Sequence, residues 1–576
     1  MRVDEAVGTV IGRMGARRMF GVVGSGNFRV TNAMVRAGVR FTASRHEMGA
    51  ACMADAYSRA TGELAVLTVH QGCGFSNALT GIGEAAKAHT PLLVVTGDIP
   101  GDQRQSNFWI DQDKVAEGMG AVPERVHSAD SAVRDVVRAV TTAVDQRRTV
   151  VLSLPLDLQN AEIPERDVAR VGQAVPASGP LRAAPAPEAV EQLAGLLAGA
   201  RRPVIVGGRG ARAAVGPIRR LAEATGALLT TSAVGRGLFH EDEWHLDVMG
   251  GFATEGAAEL IAGADVLVAF GAALNRWTTR GGELLRQATV VQVDDRVEAF
   301  GFHHPVDVAV LGDAALTAEA TTAALQALRR GADGAGAGGD AAGAGPGGAV
   351  GYRTPEVART VAESLNWSDQ PFEDTSEPVV PGEPGSGRID PRALTNALDR
   401  MLPMERVVVP DGGNFNAYPA MHLRVPDNDG YCVPLAFQSI GLALSSAVGA
   451  AVALPGRVAI AGVGDGGFMM SLVELDTAVR LGLPLVVVVY NDNAYGAEVH
   501  HFAHETDELD TVVFPETDIA AIAAGYGCQA LTVRQESDLD PVRAWAEGPR
   551  DRPLVIDAKI TSFPSWVLAH SFEAGE

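Results

Sequence analysis

Short apolar runs, many of them stopping at glycine and separated by stretches of helical spacing, recur from one end of the chain to the other. MFGVVG, LAVLTV, LLVVTG and TVVLSLP fall within residues 1–165; RPVIVGG, ADVLVAFGA and ATVVQVD within 184–330; RVVVPDGG, RVAIAGVGDGG and LVVVVYNDN beyond 388. Continuous β-branched runs of this length, alternating with helices, predict strands buried on both faces of parallel sheets. The chain therefore reads as α/β, with three doubly wound parallel-sheet domains at 1–165, 184–330 and 388–576. A Pro/Ala-containing link covers 166–183. Residues 331–387 predict a flexible linker, because GADGAGAGGDAAGAGPGGAVG is of low complexity and SDQPFEDTSEPVVPGEPGSG carries no periodicity. TPEVARTVAESL, between them, predicts a short helix.

The most informative pattern runs from Arg457 to Gly496. An apolar strand breaks into Gly464, Asp465, Gly466 and Gly467, a turn only glycine makes easily. Leu472, Leu475, Ala478 and Val479 then recur at helical spacing, Gly482 and Pro484 stop the helix, and Leu485–Tyr490 predicts a second buried strand. The two strands should be parallel neighbours. Their C-terminal ends then bring Asp465 beside Asn491, Asp492 and Asn493. Gly462, Gly464 and Gly467 also satisfy GxGxxG, so a dinucleotide loop is the rival reading. Asp465 argues against it, since a carboxylate in a glycine cradle repels a pyrophosphate unless a divalent cation lies between them.

GDGG, a helix, then NDNAYG resembles the thiamin diphosphate motif of the superfamily of pyruvate decarboxylase, benzoylformate decarboxylase and acetohydroxyacid synthase. The resemblance spans the chain apart from the linker. It implies pyrimidine-binding, middle and diphosphate-binding domains, in that order. Thiamin diphosphate and Mg²⁺ are the implied cofactors, with Asp465, Asp492 and the Ala494 carbonyl as metal ligands. Gly464, Gly466 and Gly467 would lie at the diphosphate, and Gly413 and Asn414 in RVVVPDGGNF would also face the cofactor. The family usually carries Asn at the place of Asp492, so this site holds an extra negative charge.

Other candidates have a local reading and one that the resemblance implies. Ser44 and Glu47 in SRHEMGAACMADAYSRATG fit a capping box by spacing; by resemblance Glu47 meets the aminopyrimidine ring and shares a proton with it. His70, in TVHQGCGFSN, reads locally as a turn residue, while benzoylformate decarboxylase has a histidine here that handles protons at the substrate. Ser25 in VVGSGNF is a helix cap by position, or the counterpart of that decarboxylase's serine. Gln112 in FWIDQDKV is either a solvated loop side chain or the synthases' active-site glutamine. Ile440 reads as core, or as the bulky residue that bends the cofactor. Glu498 reads as a solvated helix face, or as the glutamate of pyruvate decarboxylases. His500, His501 and His504 form a weak metal candidate.

Composition narrows the class further. With 47 Lys and Arg against 70 Asp and Glu, net charge is −23, which argues against nucleic acid or an anionic membrane as partner. Four scattered cysteines without a CxxC pair indicate neither a disulfide framework nor zinc. Charged residues interrupt the first 20 positions and no apolar run reaches a membrane span, so the expectation is a cytoplasmic protein. The reading is a Mg-dependent enzyme that decarboxylates a 2-oxo acid non-oxidatively, the resulting carbanion being protonated to an aldehyde or ligated to a second carbonyl, giving an acyloin or acetolactate-type product. The resemblance also implies a homodimer or homotetramer. The alternative is an FAD- or NAD-dependent oxidoreductase using Gly462–Gly467. Gly207, Gly208, Gly210 and Asp294 make FAD conceivable in the middle domain, but packing turns account for those glycines and no flavin is favoured.

Overall fold

Each predicted apolar run is a strand of a parallel sheet in the computed structural model, which describes residues 1–169, 171, 182–335, 351–364 and 366–571. The first sheet comprises β1 (Arg18–Gly21), β2 (Arg40–Ala43), β3 (Ala65–Val69), β4 (Leu92–Asp98), β5 (Val122–Arg125) and β6 (Thr149–Pro155), in the order β2-β1-β3-β4-β6-β5. The second comprises β7 (Pro203–Gly207), β8 (Leu228–Thr231), β9 (His245–Val248), β10 (Val266–Phe270), β11 (Thr289–Asp294) and β12 (Val308–Leu311), in the order β12-β11-β10-β7-β8-β9. The third holds β13 (Arg406–Pro410), β14 (Val458–Gly464), β15 (Leu485–Asn491), β16 (Gln529–Val533) and β17 (Leu554–Lys559), in the order β13-β14-β15-β17-β16. Edge strands β2, β5, β12 and β16 lack the continuous apolar signal because they are only partly buried.

The chain divides into two compact units. One gathers Met1–Gly179, Asp374–Pro419 and Cys432–Phe563, with the first and third sheets; the other gathers Pro180–Glu373, Ala420–Tyr431 and Pro564–Glu576, with the second. In the first unit the helices Glu47–Thr61 and Ala443–Ala453 lie against each other at the centre of one apolar core. Small residues allow that approach, since a Cβ on Gly449 would come within 2.7 Å of the Met53 Cα. Burial of a side chain such as Phe468, which is wholly enclosed, contributes about 2–3 kcal/mol.

The expected boundaries shift in four places. The helix Glu165–Ala169 joins the first domain through buried Val168 and a hydrogen bond from Arg13 to its carbonyl, while 170 and 172–181 lie outside the described residues. Of the expected linker, 336–350 also lies outside them. Residues 351–373 pack on the second unit: the Tyr352 hydroxyl donates to the Leu260 carbonyl at 2.9 Å and the Trp367 indole to that of Phe252 at 2.8 Å. Pro355–Ser364 is the predicted helix. Residues 374–387 are tied to the third domain by Thr375 to Asp390 at 2.9 Å and by Arg534 to the Gly385 carbonyl at 2.8 Å. Finally, Trp566–Ser571 belongs with the second unit, not with the diphosphate-binding domain, and the Trp566 ring lies 5.5 Å from that of Trp367. A lack of periodicity marks absent helices and strands, not absent contacts.

Candidate active site

β14 and β15 pair in parallel, with Gly464 opposite Tyr490, and deliver Asp465 and Asp492 to the same end of the sheet. Burial, then the neighbouring Asp492 charge, pushes the Asp465 carboxyl up to about 7; burial pushes that of Asp492 up to about 6. Two half-buried carboxylates that resist ionising together are a donor set for a hard divalent cation, which removes the repulsion. Asp492 accepts from the Ser562 hydroxyl at 3.3 Å, and a Cβ on Gly496 would stand 2.5 Å from its Oδ2. Asn493 sits in the left-handed region at φ 59°, and its carbonyl and the Tyr495 N–H pair with the strand at Val513. That pairing leaves the intervening Ala494 carbonyl out of the ladder. Among the described residues no group of three His, Cys, Asp or Glu side chains is placed to hold a metal ion, and His500, His501 and His504 form no such group.

The turn expected at GDGG, one that only glycine makes easily, does not form: Gly464 ends β14 at φ −80° and the helix Asp465–Ser471 begins at the next residue, with no side-chain cap. Its glycines are required by packing: a Cβ on Gly466 would strike the Tyr495 ring, and one on Gly467 would lie 2.6 Å from Asp411 Oδ2. Gly462 and Gly464, which complete the GxGxxG pattern, face Pro419 and the Phe415 ring. They are spent on contacts within the domain, which undercuts the dinucleotide reading. In the second unit Gly208 and Gly210 likewise meet the backbone of Gly271.

Asp411, which sequence reasoning did not single out, is fully buried and accepts the N–H groups of Gly441 (2.7 Å) and Leu442 (3.2 Å). It thereby holds the loop bearing Ile440, whose Cγ2 would stand 3.2 Å from a Cβ on Gly412. Ile440 is only half-buried, so it is not ordinary core. Asn414, 7% exposed, donates to the Phe563 carbonyl at 2.8 Å, and Gly413 precedes it at φ 119°.

The pyrimidine-side candidates gather around Gly74. A Cβ there would lie 3.0 Å from that of His70 and 3.2 Å from Glu47 Oε1. Glu47 opens the helix Glu47–Thr61, but the capping box expected from Ser44 does not form: His46 caps instead, its Nδ1 accepting the Met48 N–H at 3.1 Å. The Glu47 carboxylate accepts from Asn77 Nδ2 at 3.1 Å through Oε2 alone. His70 donates from Nδ1 to the Gln71 carbonyl (2.8 Å), so its Nε2 faces the Ser25 hydroxyl at 3.3 Å as acceptor. Asn27, not Ser25, precedes the helix Phe28–Arg36, leaving the serine hydroxyl to His70. The Phe108 ring covers the imidazole at 5.0 Å.

Two candidates behave otherwise. Gln112 is 2% exposed and fully engaged, accepting the Gly72 N–H (3.1 Å) and donating to the Gly97 carbonyl (3.0 Å) and Ser153 (3.2 Å). It is neither solvated nor presented to a substrate; it holds the turn after His70. Glu498 lies exposed on the first turn of the helix Gly496–Phe502.

Sequence comparison agrees with this two-part site. The N-terminal TPP binding domain of thiamine pyrophosphate enzymes matches residues 1–119, the central domain 190–321, and the C-terminal TPP binding domain 411–558. The chain belongs to the thiamine pyrophosphate enzymes. It is 29% identical to a probable 2-ketoarginine decarboxylase of Pseudomonas aeruginosa, over 94% of this chain and 90% of that protein. It is also 29% identical to a sulfoacetaldehyde acetyltransferase of Alcaligenes xylosoxydans (92% and 87% covered) and 24% identical to an acetolactate synthase of Bacillus subtilis (97% and 93%). In this thiamine pyrophosphate enzyme, the residues present fit a divalent metal: the largely buried Asp465–Asp492 pair calls for a cation. No helix among the described residues is long and apolar enough to cross a membrane.

Proposed function

We propose that this enzyme decarboxylates a 2-oxo acid non-oxidatively with thiamin diphosphate and Mg²⁺, and that protonation to an aldehyde is its main outcome. The Ser25–His70 couple beside Glu47 carries this reading. Bound thiamin diphosphate supplies the electron sink that makes loss of CO2 feasible. Asp465, Asp492 and the Ala494 carbonyl would hold the Mg²⁺; the backbone of Gly464, Gly466 and Gly467 would lie at the diphosphate; Gly413, Asn414 and Ile440 would border the ring system. Asn77 occupies one Glu47 oxygen and leaves the other to hold a proton against the cofactor. His70, its Nδ1–H fixed by the Gln71 carbonyl, would take a proton from solvent at Nε2 and pass it on from there, and Ser25 orients the ring. The overall change takes up one proton: 2-oxo acid anion plus H⁺ gives aldehyde plus CO2.

Gln112, buried under the turn it supports, offers ligation no substrate contact, which favours the aldehyde outcome. A homodimer or homotetramer completes the proposal, Glu47 of one copy facing Asp465 of another. Met469 and Met470, on the helix that starts at Asp465, are 45% and 48% exposed, as expected of a face covered by a second copy. Mass spectrometry of products from a panel of 2-oxo acids, with and without added aldehydes, tests the function. Aldehyde and CO2 in equal amounts are expected, and His70→Ala should slow turnover about 10²- to 10⁴-fold. Ligated products alone would replace this reading with a carboligase.

A further inference from the structure

Two buried carboxylates cross between the cofactor-binding halves of the first unit, in opposite directions. Glu474, in the third domain and 1% exposed, accepts the backbone N–H groups of Arg45 (3.1 Å) and His46 (2.9 Å) in the first, while the Thr477 hydroxyl steadies it at 2.6 Å. The next residue along is Glu47. Glu84, in the first domain and fully buried, accepts the N–H groups of Ala436 (3.0 Å) and Phe437 (2.7 Å) in the third. Three residues on is Ile440. Arg59 braces that side, donating to Glu84 at 2.5 Å and to the Val433 carbonyl at 2.6 Å, with Asp55 2.8 Å from its Nε.

Both gripped loops are held against strain or crowding. Gln438 lies at φ 60° and Gly441 at φ 83°, with Asp411 securing the far end, and a non-glycine residue in the left-handed region persists only where its surroundings enforce it. A Cβ on Gly49 would run into the Glu474 carboxylate, and one on Gly83 would meet the Met119 methyl at 2.5 Å and the Phe437 ring at 3.2 Å. Charge-assisted hydrogen bonds to N–H groups are among the stronger ones, and a carboxylate enclosed this completely has no water to fall back on. A plain interdomain contact would need neither two buried charges nor two glycines beside them.

We propose that Glu84 and Glu474 are positioning residues forming a reciprocal clamp, in which each half fixes the loop that carries the other half's cofactor-facing side chain. The roles of Glu47 and Ile440 rest on the function proposed above; the clamp itself does not. The test uses the full-length, cofactor-free protein and hydrogen exchange read by mass spectrometry over segments 43–49 and 435–442. Glu474→Gln should speed exchange at least tenfold in 43–49 alone, and Glu84→Gln in 435–442 alone. Gly49→Ala and Gly83→Ala, which crowd the clamps without deleting a charge, should reproduce the two patterns and serve if a Gln variant does not fold. With Mg²⁺, thiamin diphosphate and a 2-oxo acid, each variant should lose at least tenfold in kcat with KM changed less than threefold. Unchanged exchange in both segments, or equal loosening of both in every variant, overturns the clamp. Selective exchange with unaltered kcat overturns its positioning role. A wild-type protein inactive on every 2-oxo acid would instead strike the proposed function and leave the exchange result standing.

Discussion

The proposed function rests cofactor binding on Asp465 and Asp492. Asp465→Ala removes a ligand and leaves the diphosphate charge poorly compensated, so calorimetry should show thiamin diphosphate binding abolished. Asp492→Asn restores the usual family ligand and relieves one of two facing charges; activity should survive with an altered preference among Mg²⁺, Mn²⁺ and Ca²⁺. A different residue governs acid stability in the second unit. His245 is 5% exposed, its Nε2 has no hydrogen-bond partner, and burial lowers its pKa to about 4. Between that value and an unfolded value near 6.5 the unfolded state binds more protons, so this histidine's contribution to stability falls as pH falls through that window. His245→Phe should therefore gain in Tm over wild type as pH drops from 7 to 5, and show a constant difference above pH 7. Differential scanning fluorimetry across that range checks it. The places of Glu47 at a helix start and of Asp465 beyond a strand end were legible in the sequence, but the His46 cap was not, because it depends on which nitrogen the folded loop turns inward.

At the level of elements, the loop 436–442 and the helix Asp465–Ser471 lock together through a glycine and a carboxylate. Gly467→Ala would push a methyl group to 2.6 Å from Asp411 Oδ2 and 3.2 Å from the Gly441 nitrogen. Overpacking of this kind costs about 1–3 kcal/mol. Urea unfolding of the cofactor-free protein should report that loss, and thiamin diphosphate affinity should fall at least tenfold because the strained loop is the one bearing Ile440. Gly467→Ala with wild-type stability would mean that the loop yields freely. The passage from strand to helix at GDGG was readable because a strand, a glycine cluster and a helix follow one another within a dozen residues. The break of the helix at Leu472–Glu474, which turns Glu474 toward the first domain, carries no such local signal.

On the scale of the whole molecule, both thiamine pyrophosphate-binding domains, apart from Ala420–Tyr431, lie in one compact unit and the central domain in the other. A ligand that binds only the folded state stabilises it by about 2.7 kcal/mol at a hundred times its Kd. Mg²⁺ with thiamin diphosphate should therefore slow hydrogen exchange across β3, β4, β14 and β15, and leave β7, β10 and β11 unchanged. Equal protection of all three sheets would show that the central domain shares the cofactor's binding energy.

Within the sequence itself lay the parallel-sheet class, the long central strands and the GDGG and NDNAYG ends that place two carboxylates together. Each is written over a few neighbouring residues, as apolar periodicity or as the glycines that mark a strand's end. The tertiary structure alone decided the rest: that Gln112 is buried beneath a turn, that 351–364 and 366–387 of the expected linker pack on neighbouring domains, and that Glu474 closes on Arg45, 429 residues away. The polarity of Glu84, Asp411 and Glu474 predicts exposure, and what reverses it is a set of backbone N–H groups from distant segments, supplied only once the chain has folded.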